Sequence, residues 1–225
     1  YNIPLIIWGE NPDTEYGGPA ADGALIDRAW LTRWESLLGL SIWDMVGQEG
    51  IREIDVLPYQ LPSYEEFCRV RVTGLYLGYY LAWDGVMNNI IARGYGMRSY
   101  DRVIEGNVED AGSTDDYRSG IHHYFKYLKY GYGRASDIVS QHIRAGRLTR
   151  EDGVELVRIH DGSFPWTYLG KPLEEILEPL DLTVDEFIAI CDRYTNRVYF
   201  KTDGNGNLIK NSHGSLLKKD EYLLR

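Results

Sequence analysis

The sequence predicts an α/β domain followed by an α-helical C-terminal region. Two observations carry this. Residues 3–8 (IPLIIW) and 72–83 (VTGLYLGYYLAW) are apolar runs rich in β-branched and aromatic residues, and glycine or aspartate closes each, as expected of buried strands. From residue 117 onward the apolar positions recur at helical spacing instead, with Tyr117, Ile121, Tyr124, Phe125 and Leu128 on one stripe.

Each element has a local reason. Leu25, Ala29, Trp30 and Leu37 give residues 24–38 a helical pattern that Gly39 stops. Ser63 and Glu66 form an S-x-x-E capping box, so a helix is expected over 64–70. Asp84 is placed to cap a helix over 85–93, closed by Gly94 and Gly96. Residues 99–116 turn polar and glycine-bearing, which predicts a loop or edge excursion with freedom to move. A helix over 134–145 places Ala135, Ile138, Val139, His142 and Ile143 on one face. Thr149 with Asp152 starts another, and Thr183 with Glu186 opens a last one running to Tyr194. The tail reads as a hairpin around Asp203-Gly-Asn-Gly206. It is not a calcium loop, since Leu208 and Gly214 stand where the sixth-position glycine and the twelfth-position acid belong. No internal repeat is expected. The divisions follow as 1–116, an α/β domain with its substrate loops; 117–195, helical; and 196–225, the tail.

The apolar fraction of 44% is ordinary for a soluble globular protein, and no apolar run approaches the roughly 18 residues of a membrane span. No basic residue precedes the first apolar run, so no signal peptide is expected. Cys68 and Cys191 form no paired motif; both are expected on apolar helix faces, in a reducing cytoplasm. The chain starts at Tyr1, almost inside a strand, and further residues are expected upstream.

A net charge of −10 argues against nucleic-acid binding. The charge is uneven, however. Residues 118–158 hold eight Lys/Arg against four acids, leaving −14 for the remainder. A basic island in an acidic chain suits a compact anionic ligand, although a solvated helix surface would look the same.

Three stretches could carry chemistry. In open α/β sheets, ligands gather at the carboxyl ends of strands. GENPDTEYGG (9–18) sits at such an end, where Glu10, Asn11, Glu15 and Tyr16 can meet a sugar hydroxyl, a magnesium ion or an ammonium-like group. Trp83 and Asp84 repeat the plan after the second strand, unless Trp83 only packs and Asp84 only caps. In HHYFKYLKYGYGRASD (122–137), Lys126 and Lys129 share a helix face with His122 one turn earlier, and Tyr130 and Tyr132 can stack on a ring. Arg134 then stands at the start of the next helix, where backbone amides and a guanidinium suit a phosphate. The segment is no dinucleotide fingerprint, because Ser136 replaces the third glycine. His142, on an apolar face, reads as a satisfied core histidine. Nucleophile elbow, zinc cluster, Walker loop and hydrolase triad are all missing from the sequence.

Together, IPLIIWGENPDTEYGG, GLYLGYYLAWDG, YFKYLKYGYGRASD with IRAGRLTREDGVELV, and LGKPLEEILEPLDLTVDEFIAICDRYTN resemble the N-acetyl sugar amidotransferase family of surface-polysaccharide biosynthesis, over residues 3–206. The resemblance implies a PP-loop ATP-pyrophosphatase fold, of which residues 1–116 would be the C-terminal remnant of the parallel sheet. It also implies a reaction. ATP, with Mg2+, adenylylates the acetamido oxygen of a nucleotide-linked sugar and releases pyrophosphate. Ammonia from a HisH-like glutaminase subunit then displaces AMP to leave an acetamidino group. The resemblance covers these segments; within them Glu10, Asn11 and Glu15 are expected to line the catalytic cleft, and Tyr16, Trp83, Asp84, Lys126, Tyr130, Arg134 and Asp137 to contact substrate. The family's S-G-G-x-D-S phosphate loop and its cysteine motifs are not in these residues, so the chain is expected to be a C-terminal portion that is inactive alone. Two alternatives stay open: a related enzyme transferring sulfur or another nitrogen donor, and a non-catalytic carbohydrate-binding or assembly protein.

Overall fold

The computed structural model describes residues 3–9, 25–26, 40–81, 84–212 and 214–223. The chain forms two compact units, Tyr1–Asn88 and Asn89–Arg225.

In the first unit, β1 (Leu5–Trp8) runs parallel to β3 (Thr73–Tyr76), which also pairs antiparallel with β2 (Leu25–Ile26). The sheet is therefore mixed, in the order β1-β3-β2. A parallel pair needs a long crossover. Among the described residues of this one are α1 (Glu53–Val56) and α2 (Tyr64–Val70). The capping box at α2 forms as the sequence predicts: Ser63 Oγ accepts from the Glu66 amide at 3.2 Å, and Glu66 Oε2 accepts from the Ser63 amide at 3.0 Å.

Several expectations change. The strand expected over 72–83 stops at Tyr76, because its partner β1 has only four residues before Gly9; a 3-10 turn over Leu77–Tyr79 follows. β1 is not buried. It lies at the edge of the sheet, and each of its side chains is more than a third exposed. Leu25 and Ile26 form a strand where a helix was expected, and residues 27–38 of that span lie outside the described residues. Cys68 is exposed rather than set on an apolar face, whereas Cys191 is buried and its thiol is pushed up to about 12 by burial.

The helix α3 (Gly85–Gly94) begins where expected. In the second unit the helices are α4 (Ser119–Tyr130), α5 (Arg134–Arg144), α6 (Arg150–His160), α7 (Leu173–Leu177) and α8 (Val184–Tyr194). A short hairpin, β4 (Thr167–Tyr168) and β5 (Lys171–Pro172), precedes α7. The predicted stripe of α4 does face the core: Tyr124 and Leu128 pack with Tyr127, Leu173, Leu177, Phe187, Cys191 and Phe200, and Ile121 and Phe125 pack against that cluster. Tyr117 lies before the helix and is exposed. No helix among the described residues is long and apolar enough to cross a membrane.

Residues 99–116 form a loop, as expected, but one anchored in the core rather than an excursion at its edge. Ile104 is fully buried against Tyr168 and Ile176, and the Tyr100 and Ile104 amides donate to the Asp110 and Glu109 carbonyls. Ile104, with Asn107 and Ala111 also buried, fixes a segment whose composition reads as loop.

The tail carries the repeat that was not expected. Three octads align as YFKTDGNG, NLIKNSHG and SLLKKDEY, from residues 199, 207 and 215. Their third residues close a ring of backbone hydrogen bonds: Lys201 donates to Leu217, Leu217 to Ile209, and Ile209 to Lys201, at 2.8, 3.0 and 3.0 Å. Their second residues, Phe200, Leu208 and Leu216, all pack into or against the core cluster. Instead of one hairpin, then, the tail is a three-fold β-ring plugging the helices. In its first turn the Asp203 carboxylate accepts from the amides of Asn205 and Asn207 and from the Asn207 side chain.

Candidate functional site

The second unit contains a cleft where the start of α5 meets α4 and the segment following α6. Its lining includes Glu105, His123, Arg134, Asp161, Phe164 and Tyr168, and its volume is about 370 Å3 with the open mouth included.

The cleft begins with a helix that lacks its own cap. The N-cap of α5 is Gly133, which has no side chain to accept from the free amides. Asp161, just beyond the last turn of α6, accepts in its place. One carboxylate oxygen takes the Gly133 amide at 2.8 Å and the Ser136 hydroxyl at 2.6 Å; the other takes the Ser136 amide at 3.4 Å. A negative charge here also opposes the positive end of the helix dipole. Glycine is required for this approach, since a Cβ on residue 133 would stand 2.8 Å from Asp161 Oδ1. Helix-terminal amides expected to be open to a phosphate are thus already engaged by a carboxylate.

Arg134 follows immediately, half-buried. Its Nε is buried without a hydrogen-bond partner, and its guanidinium is in no ion pair among the described residues. On α4, His123 is in the same condition: its Nδ1 is buried and unpartnered. Burial first, then the nearby Arg134, His122 and Lys126 charges, pushes the His123 imidazole down to about 4, so it is neutral at pH 7. Its ring meets Tyr168 edge-on at 6.3 Å. The Tyr168 hydroxyl donates to the Ser113 carbonyl at 2.9 Å and is pushed up to about 12, mainly by burial. The Glu105 carboxylate accepts from Thr167 Oγ1 at 3.1 Å and from the Leu169 amide at 3.0 Å.

A half-buried guanidinium without a carboxylate is costly in the free protein, because both its charge and its donors lose water. Two carboxylates border the same hollow, yet each is engaged by donors other than Arg134. Arg134 thus pairs with neither carboxylate, though both keep their negative charge, and it shares the hollow with a neutral imidazole and the aromatic rings of Tyr124, Phe164 and Tyr168.

Of the residues singled out in the sequence, Arg134 lines this cleft. Lys126 and Asp137 come together as a half-buried ion pair, with Lys126 Nζ 4.9 Å above the Tyr132 ring. Tyr130 and Tyr132 are exposed neighbours, with ring centroids 6.3 Å apart. Asp84 caps α3, accepting from the amides of Val86 and Met87 at 3.1 and 3.3 Å. Glu10, Asn11, Glu15, Tyr16 and Trp83 lie outside the described residues. His142 is held on both nitrogens, by Glu109 at 2.9 Å and by Arg147 Nε at 3.1 Å, as a structural histidine would be.

His123, Asp161, Tyr168 and Glu105 were not anticipated. The signal for His123 lay in the doublet at 122–123. Gly120, His123, Tyr124 and Tyr127 share one face of α4, and that face is turned inward, so the second histidine matters rather than the first.

Among the described residues no group of three or more His, Cys, Asp or Glu side chains could hold a metal ion, and no S-G-G-x-D-S loop occurs in the sequence.

A search among curated proteins found no match. Residues 98–212, just over half of the chain, match the family described as "LPS biosynthesis protein WbpG-like, C-terminal domain". Every residue of the cleft falls inside that span. Its Arg134 cleft thus lies within the matched span, and the chain belongs to the WbpG-like family of LPS biosynthesis proteins.

Proposed function

We propose that this chain is the C-terminal part of an ATP-dependent amidotransferase of LPS or O-antigen biosynthesis. Its substrate is a nucleotide-linked N-acetyl sugar, whose acetamido group becomes acetamidino with ammonia supplied by a glutaminase subunit. The family match supports the LPS-biosynthesis setting, and the motifs from residue 3 to residue 206 support the amidotransferase class. The observation that carries a substrate-binding role is Arg134: a half-buried guanidinium without an ion-pair partner, opening on a cleft with aromatic walls.

In this reading the chain's own residues bind and orient. Arg134 holds an anionic part of the sugar nucleotide. The paired Lys126 and Asp137 stiffen the junction of α4 and α5 and set the aromatic edge made by Tyr130 and Tyr132. Holding the acetamido group in one place, rather than proton transfer, is the contribution of this unit.

The test is an assay of AMP release with this chain joined to a phosphate-loop-bearing N-terminal part, a diacetamido nucleotide sugar, glutaminase and glutamine. A hydrogen-bonded charge pair contributes about 1.5–3 kcal/mol. Arg134→Ala is therefore expected to lower kcat/KM by roughly 10- to 150-fold, with mass spectrometry identifying an amidine product from the unaltered enzyme. Unchanged kcat/KM in the variant would remove Arg134 from the site, and a sulfur-bearing product would replace the amidotransferase reading.

A further inference from the structure

We infer that the Arg134 cleft is a site for a single oxyanion group, a phosphoryl or a carboxylate, received by the Arg134 guanidinium with the His123 imidazole beside it. The inference goes further than substrate binding in general and rests on the cleft alone, whether or not the amidotransferase reading holds.

Three features select this ligand. The first is a guanidinium without an ion pair. Arg134 is half-buried and paired with no carboxylate among the described residues: Asp161 and Glu105 keep their charge but are held by neutral donors, at the start of α5 and on Thr167 and Leu169, and Asp116 pairs with Arg118. The second is unspent hydrogen-bonding capacity. Arg134 Nε and His123 Nδ1 are both buried and unpartnered, and such groups are rare because a buried polar atom that has lost water and gained no partner destabilises the fold. A ligand presenting acceptor oxygens satisfies the guanidinium fork in two places at once. A neutral imidazole can donate to a further oxygen without placing a second cation in the hollow.

The third feature is size. Most of the 370 Å3 of the hollow is open mouth, and the enclosed space is far smaller. Close approaches keep it narrow: a Cβ on Gly120 would stand 2.6 Å from the Tyr168 ring. The enclosed part therefore takes one charged group. A nucleotide base and ribose would have to lie outside it, against the mouth.

The experiment is an NMR titration of the full chain, following the Arg134 Nε–Hε signal and the His123 ring signals. Inorganic phosphate and acetate are added separately, against sodium chloride at matched ionic strength. Saturable shifts of both residues at the same anion concentration are expected with at least one of the two anions, and the tighter of them identifies the group as phosphoryl or carboxylate. In Arg134→Gln the apparent affinity is expected to fall at least 10-fold. In Arg134→Lys, which keeps the charge and loses the fork, the fall should be several-fold. Absence of saturable shifts with either anion in the unaltered chain would overturn the site, and so would affinity in Arg134→Lys equal to the unaltered chain's together with no loss in Arg134→Gln.

Discussion

Gly162→Ala is expected to destabilise the second unit by roughly 2–5 kcal/mol, from overpacking of about 1–3 and a left-handed backbone cost of about 1–2 kcal/mol. Gly162 adopts a φ of +78°, and a Cβ there would stand 2.6 Å from Tyr127 Cε1. Neither strain can relax easily. Tyr127 is buried, its ring is 5.3 Å from that of Phe200, and Lys218 sits 4.9 Å above it. Residue 162 also follows Asp161, so displacing the chain here pulls the carboxylate away from the start of α5. Urea unfolding followed by circular dichroism measures the loss; a change below about 1 kcal/mol would mean that the chain does not pass this close to Tyr127.

Phe200→Ala should cost about 3–5 kcal/mol, the range for truncating a fully buried aromatic side chain. Phe200 is the second residue of the first octad, and its ring reaches the cluster formed by α4, α7 and α8. Because the three octads are joined by a closed set of hydrogen bonds, loss of one anchor loosens a ring rather than a single hairpin. Thermal unfolding of Phe200→Ala beside the conservative Phe200→Leu separates volume from packing detail. If both variants melt with the unaltered chain, the tail does not plug the helices.

Which parts of this could be read in advance follows from how local each signal is. Capping boxes are contained within four residues, so Ser63–Glu66 and Thr183–Glu186 could be placed without knowledge of the fold. The stripe of α4 needed only the helical period. Strand length did not yield to the same treatment: the run over 72–83 has strand composition throughout, but a strand extends only as far as its partner, and β1 is four residues long. The loop at 99–116 was legible as a loop, but not its anchoring in the core through Ile104, Asn107 and Ala111.

The cleft was half legible. Arg134 was visible as a cation at a helix start. Its neighbour Asp161 lies 27 positions further on, and only the packing of α5 against α6 brings the carboxylate under that helix. The octads escaped notice because only their second position is consistently apolar, and eight residues is far shorter than the repeats usually sought. That position is also the one that is buried or packs on the core.

The cleft depends on Asp161 capping α5 from outside that helix, which sets Arg134 in place. A double-mutant cycle on Asp161→Ala and Ser136→Ala, measured by urea unfolding, tests that contact most directly. A coupling of about 1–2 kcal/mol is expected for a charge-assisted hydrogen bond between half-buried groups. Additivity of the two changes within about 0.3 kcal/mol would contradict it, since the α5 start would then be held in some other way.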